Sequence, residues 1–159
     1  MLFRSALNDI IREVAPSLGT LDFGSDLGFA KVHTTFEDKS VPLQFAGSGI
    51  LALASLSMEL IVTPEGIVLI DEPEVHQHYR TLELTAKAIW AAVKRKIQVI
   101  LTTHSLEFID ELIRTRPEEV GIDNLSVIRT NLRSGSLITQ CYTGETVSFA
   151  RTEMEEDLR

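Results

Sequence analysis

The chain has 159 residues, 44% of them hydrophobic and 24% charged, which is enough to bury a core and too apolar for disorder over most of its length. Its formal net charge of −8 argues against a nonspecific grip on nucleic acid through the whole surface, and no apolar stretch approaches the roughly 20 residues that span a bilayer. The single cysteine, Cys141, permits no internal disulfide and the start lacks the apolar run of a secretory signal, so a cytoplasmic protein in a reducing compartment is expected.

Along the chain, Phe3, Leu7, Ile10, Ile11 and Val14 fall at helical spacing and stop before Pro16. Gly19, Gly24 and Gly28 suggest turns around a short strand. A second strand is expected from Phe29 to Phe36, with Ala30, Val32, Thr34 and Phe36 on one face. Gly47-Ser48-Gly49 then opens a helix from about Ile50 to Ile61, apolar on nearly every side and therefore expected to be buried. After a turn at Pro64-Glu65-Gly66, the run Ile67-Val68-Leu69-Ile70 reads as a strand covered on both faces, as in a parallel sheet.

A helix over 80–95 follows, with Leu82, Ala86, Ile89, Ala92 and Val93 as its buried stripe, and Trp90 is assigned to the core with no cofactor role. Lys94-Arg95-Lys96, the one compact basic run, sits where it would complement the dipole at a helix end. Ile97, Val99, Ile100 and Leu101 make a second buried strand, and Ser105 can cap a helix reaching about Arg114. Strand, helix, strand in this order is a βαβ unit with parallel strands. Residues 123–131 and 136–143 alternate as a hairpin around Arg133-Ser134-Gly135, and the charged tail from Arg151 to Arg159 is expected to fray.

Three places in this pattern carry chemistry. Ile67 to Ile70 deliver two adjacent carboxylates, Asp71 and Glu72, to the C-terminal end of a buried parallel strand, the edge where open α/β sheets bind ligands. Two neighbouring carboxylates repel each other, and a magnesium ion with nucleotide phosphates supplies the counter-charge. In such a site Asp71 would hold the metal and Glu72 would act as general base on the attacking water. Thr102-Thr103-His104-Ser105 ends the second buried strand, so the βαβ unit brings His104 to the same edge, within reach of a γ-phosphate or its attacking water. Gly47-Ser48-Gly49 offers a hydroxyl and free backbone approach at a helix N-terminus, which attracts anions.

Taken in order, Gly47-Ser48-Gly49, Ile67 to Glu74 and Thr102 to Ser105 resemble the C-terminal half of ABC-type ATPases, in the non-transporter branch of SMC-like, RecF-like and OLD-like proteins and AAA-domain ATPases. The likeness covers about residues 40–115. It implies that Ser48, flanked by Gly47 and Gly49, is the signature serine contacting the γ-phosphate held by an opposite subunit. It further implies that Asp71 is the Walker B magnesium residue, Glu72 the catalytic base and His104 the switch histidine, with Glu74-Val75-His76-Gln77-His78 in the D-loop region. Two departures stand out. The signature is reduced to a Ser-Gly core, and the P-loop pattern G-x-x-x-x-G-K-[ST] occurs nowhere; none of Lys31, Lys39, Lys87, Lys94 and Lys96 follows a glycine. Without that loop the phosphates lack their backbone cradle and lysine, so the chain alone is expected to bind ATP weakly or not at all.

The expected fold is therefore α/β, a mainly parallel sheet with flanking helices plus a C-terminal hairpin at 120–145, all one ATPase lobe over 1–159. ATP and magnesium are the implied cofactors. A P-loop-bearing ATPase half, or an N-terminal part, is the implied partner, in an ATP-dependent dimer. Two other readings stand beside this one: a non-catalytic module that pairs with a related ATPase, and a metal-dependent hydrolase built on His76, His78, His104 and Asp71. The family resemblance points towards DNA repair, chromosome maintenance or phage defence, although no residue reads nucleic acid directly. The stretch after His104 is too short for an OLD-type nuclease domain, so nuclease activity is not expected.

Overall fold

A computed structural model describes residues 8, 12, 20–26, 29–36, 39–45, 47–75, 77–154 and 156–158. The first expected helix lies outside the described residues except at Asn8 and Arg12, both helical. Asn8 brackets the start of the first strand, its amide donating to the Leu21 carbonyl at 3.2 Å and accepting from the Leu21 N–H at 2.8 Å.

Three strands, β1 (Leu21–Asp26), β2 (Phe29–Phe36) and β3 (Lys39–Pro42), form an antiparallel meander. Helix α1 (Ser48–Val62) leads from Gly47, whose φ of 97° lies in the region that glycine adopts without strain. Strand β4 (Gly66–Asp71), helix α2 (Tyr79–Lys94) and strand β5 (Ile97–Thr102) make the expected βαβ unit, and β4 pairs parallel to β5 with Asp71 opposite Thr102. Helix α3 (Leu106–Arg114) begins as expected at Ser105, whose hydroxyl accepts from the Phe108 N–H at 3.0 Å. Strands β6 (Ser126–Arg133) and β7 (Ser136–Thr143) form the hairpin, and helix α4 (Gly144–Thr152) follows. Ser134 and Gly135 both have positive φ, as a two-residue hairpin turn of matching twist requires. The fold class is α/β as expected, but among the described residues the parallel part is small, the β4–β5 pair, and the other strand pairings are antiparallel.

Side-chain alternation explains the core. Val68 on β4 and Ile97 on β5 turn towards α1 and α2, where Leu53, Ala54, Leu60, Ala88 and Ala92 close a buried cluster. A second cluster joins Leu82, Ala86, Ile89 and Trp90 of α2 to Phe108 and Leu112 of α3, and the Trp90 indole N–H donates to the Leu112 carbonyl at 2.9 Å. Trp90 is thus a core residue, as read from the sequence. A third cluster ties Ile109 of α3 to Tyr142, Val147 and Ala150.

Three expectations are corrected. The parallel strands are covered on one face only: Ile67, Leu69 and Ile100 are 60%, 74% and 49% exposed. Helix α1 is not buried all round either, since Leu51, Ala52, Ser55 and Val62 are exposed while Leu53, Ala54, Ser57 and Leu60 face the core. The tail does not fray as a whole, because Leu158 is buried in the third cluster and Arg151 donates to the Glu156 carbonyl at 2.6 Å. The basic run also serves two partners beyond its own helix end. Lys94 pairs with Glu119 at 2.6 Å, and the Arg95 guanidinium donates to the carbonyls of Leu60, Ile61 and Thr63 at the C-terminus of α1.

Candidate nucleotide-phosphate site

The C-terminal ends of β4 and β5 form one edge because the two strands are parallel and in register, Ile70 opposite Leu101 and Asp71 opposite Thr102. Each strand then leaves the sheet with polar groups that lace the two tips together. The Thr102 hydroxyl donates to Asp71 Oδ1 at 2.5 Å and accepts the Glu72 N–H at 3.1 Å. The same N–H also reaches the Thr102 carbonyl, at 3.2 Å. These contacts hold Glu72 at φ 44°, a left-handed conformation that costs a non-glycine residue on the order of 1 kcal/mol.

Past the kink, Glu72 Oε1 lies 3.5 Å from His104 Nε2. The imidazole is 86% exposed and the carboxylate 42%, so both are accessible to a ligand from solvent. Asp71, Glu72 and His104 are therefore brought together at one sheet edge. Ser48, Gly47 and Gly49 lie on a different element, at the N-terminus of α1, where the Gly47 carbonyl accepts the Leu51 N–H at 3.0 Å. Among the described residues no hydrogen bond or ion pair joins Ser48 to Asp71, Glu72 or His104. Gly47 and Ser48 are exposed, and a Cβ added to Gly47 would meet nothing within 4 Å.

The sequence places Glu74 in the D-loop region and offers it otherwise only as a candidate metal ligand beside His76 and His78. In the fold it accepts from the Thr103 hydroxyl at 2.6 Å and from the His104 N–H at 2.9 Å, both on Oε1. Nothing in the local sequence marks it, because its partners lie about thirty positions away. Gln77 was missed in the same way: its amide donates to the Pro73 carbonyl at 2.6 Å and accepts from buried Thr85 of α2 at 2.8 Å, fixing the turn after Glu72 to the core.

The alternative transition-metal set of His76, His78, His104 and Asp71 is described only in part. His76 lies outside the described residues, and His78 caps α2, its Nδ1 accepting the Arg80 N–H at 3.3 Å. Among the described residues no group of three or more His, Cys, Asp or Glu side chains could hold a metal ion. Magnesium asks for less, one or two carboxylates together with waters and phosphate oxygens. The exposed Asp71 carboxylate at a strand tip, its Oδ1 bonded by the Thr102 hydroxyl, fits that demand.

Comparison with known proteins gives the family and the fold. The AAA ATPase domain family matches residues 3–109. The chain belongs to that family. An uncharacterized protein of Methanocaldococcus jannaschii, MJECL11, is 32% identical over 114 residues, which are 71% of this chain and 98% of that protein. Among solved structures, an SMC ATPase described in terms of ATP-driven dimerization and DNA-stimulated activation superposes with a TM-score of 0.70 at 14% identity, covering 98% of this chain and 92% of the other. A Smc head domain of Pyrococcus furiosus, bound to the C-terminal domain of ScpA, gives a TM-score of 0.65 at 14% identity and covers 97% of this chain but 38% of its own. The fold of this AAA-family chain is thus that of SMC ATPase heads. Among its described residues no helix is long and apolar enough to cross a membrane.

Proposed function

We propose that the chain is the part of an ABC-type ATPase that supplies Asp71, Glu72, His104 and Ser48 to a nucleotide gripped by a P-loop from elsewhere. That P-loop comes from a separate polypeptide or from a further part of the same protein. One observation carries the reading: a carboxylate pair and an imidazole converge on one parallel-sheet edge, with Glu72 and His104 3.5 Å apart. Family membership supports ATP as the nucleotide.

In this reading the labour is divided among four residues. Asp71, exposed at the strand tip, would hold magnesium, and the metal when bound neutralises charge on the phosphate oxygens. Glu72 takes the proton of the attacking water, its carboxylate 3.5 Å from the His104 ring. His104, almost fully open, meets the terminal phosphate and keeps the protonated base in a polar environment. Ser48, on a different element, serves the phosphates bound across a dimer, which makes the assembled state ATP-dependent. The uncovered face of β4 and β5 supports a missing partner, since parallel sheets are ordinarily covered on both sides.

The test is phosphate release from a mixture of the chain with a P-loop-bearing lobe, sought first in the reading frame next to its own gene. Glu72→Gln is expected to lower turnover by about a hundredfold or more, in line with the size of general-base contributions, and to prolong the closed state. Turnover unchanged in that variant would remove Glu72 from the mechanism. Absence of a P-loop in the sequence favours one other reading, a module that lends Ser48 to a related ATPase without catalysing. ATP-dependent association that is indifferent to Glu72→Gln would decide for it.

A further inference from the structure

We propose that Glu74 is the positioning residue for His104, tying the loop after β5 to the turn after β4 so that the imidazole stands beside Glu72. The inference deepens, and rests on, the ATPase reading of the edge. A single oxygen of Glu74 takes both of its bonds, from the Thr103 hydroxyl at 2.6 Å and the His104 N–H at 2.9 Å. The Thr103 oxygen in turn accepts the Ser105 N–H at 3.0 Å. The amides on both sides of the His104 Cα are therefore anchored to one carboxylate, directly at 104 and through a hydroxyl at 105.

The second oxygen of Glu74 is buried without a partner among the described residues. Burying an unpaired carboxylate oxygen is unfavourable, a cost that the bonds to the other oxygen must offset. The charge-assisted bonds to Thr103 and His104 hold the side chain. Gln77 fixes the other side, since it binds the Pro73 carbonyl next to Glu74 and is itself held by Thr85 inside the core. The exposed imidazole thereby inherits its place from a chain of bonds that runs to a buried helix residue.

The experiment uses the isolated chain and the complemented one. In the isolated chain, Glu72→Gln should shift the magnetic resonance signals of the His104 ring, because the two groups are 3.5 Å apart. Adding Glu74→Ala should cut that response by more than half and speed exchange of the His104 amide at least tenfold, with core amides of α2 and α3 unchanged. Glu74→Gln keeps an oxygen that can accept both bonds and should restore most of the response; Thr103→Val should weaken it. In phosphate release with a P-loop lobe, Glu74→Ala should lower kcat about tenfold at a KM within twofold. A His104 ring that responds to Glu72→Gln as strongly without Glu74 as with it overturns the proposal. A wild-type mixture that releases no phosphate overturns the ATPase reading instead and leaves the resonance result to decide on Glu74.

Discussion

Glu72 and Thr102 show how much of the edge depends on single atoms. The Thr102 hydroxyl is shared between the Asp71 carboxylate and the Glu72 N–H, so it sets both acids at once. Thr102→Val keeps the shape and removes both bonds. Since Thr102 and Asp71 are exposed and water can replace the lost partner, the stability cost should stay below about 1 kcal/mol. Turnover should nevertheless fall about tenfold, because a loosened base is misplaced in the transition state. Thr102→Ser, which keeps the hydroxyl, should retain most activity; equal loss in the serine and valine variants would show that the methyl packing matters and the hydroxyl does not. The meeting of Asp71, Glu72 and His104 at one edge was legible in the sequence because two apolar runs in βαβ order each end in ionisable residues, an arrangement more specific than either run alone. Glu74 was not, because a glutamate after proline reads as a solvated turn, and its partners Thr103 and His104 are close only in space.

At the scale of elements, the joints matter more than the elements. Every strand and helix from Ser48 to Arg114 could be found from periodicity and caps to within about two residues, which is the usual uncertainty of such boundaries. The short β3 could not, because four residues that include a lysine, a serine and a proline carry no alternation to read. The joints were silent. Arg95 closes the last carbonyls of α1 from a different helix, satisfying acceptors that a helix end leaves open. Arg95→Met keeps the aliphatic stem and removes three bonds; it should destabilise by about 1–3 kcal/mol and lower Tm in a thermal scan. An unchanged Tm would mean that water serves those carbonyls equally well. Gly144 opens α4 where a Cβ would lie 2.0 Å from the Ile122 carbonyl oxygen, a clash with backbone that no rotamer relieves. Gly144→Ala should cost about 1–3 kcal/mol as overpacking does, although alanine is the better helix former. A denaturant midpoint raised by the alanine would contradict that close approach. Arg151, paired to both oxygens of Asp110 at 2.7 Å, joins α4 to α3, and its guanidinium pKa is raised by that hydrogen bonding.

For the molecule as a whole, the telling feature is the uncovered face of β4 and β5. Ile67, Leu69 and Ile100 stand on the same side as Asp71 and Thr102, by strand alternation and by the Leu69–Ile100 and Asp71–Thr102 pairings. An apolar sheet face therefore leads straight up to the acidic edge. The apolar run was legible as a strand, but the cover on both faces read from it is not met, since an uninterrupted apolar run does not say what lies on its second face. Covering each of these side chains would contribute up to about 1.5–3 kcal/mol, which gives a P-loop lobe a reason to dock here and not merely near the nucleotide. Leu69→Lys with Ile100→Thr should leave the fold intact, since both side chains point to solvent. It should make the isolated chain less prone to self-association on a sizing column, because exposed apolar patches drive such contacts. The same pair should weaken the complex with a P-loop lobe at least tenfold and abolish phosphate release, even with ATP in excess and Asp71, Glu72 and His104 untouched. If the double variant binds and turns over like the wild type, the lobe approaches from another direction, and the apolar face has to be assigned to a different partner.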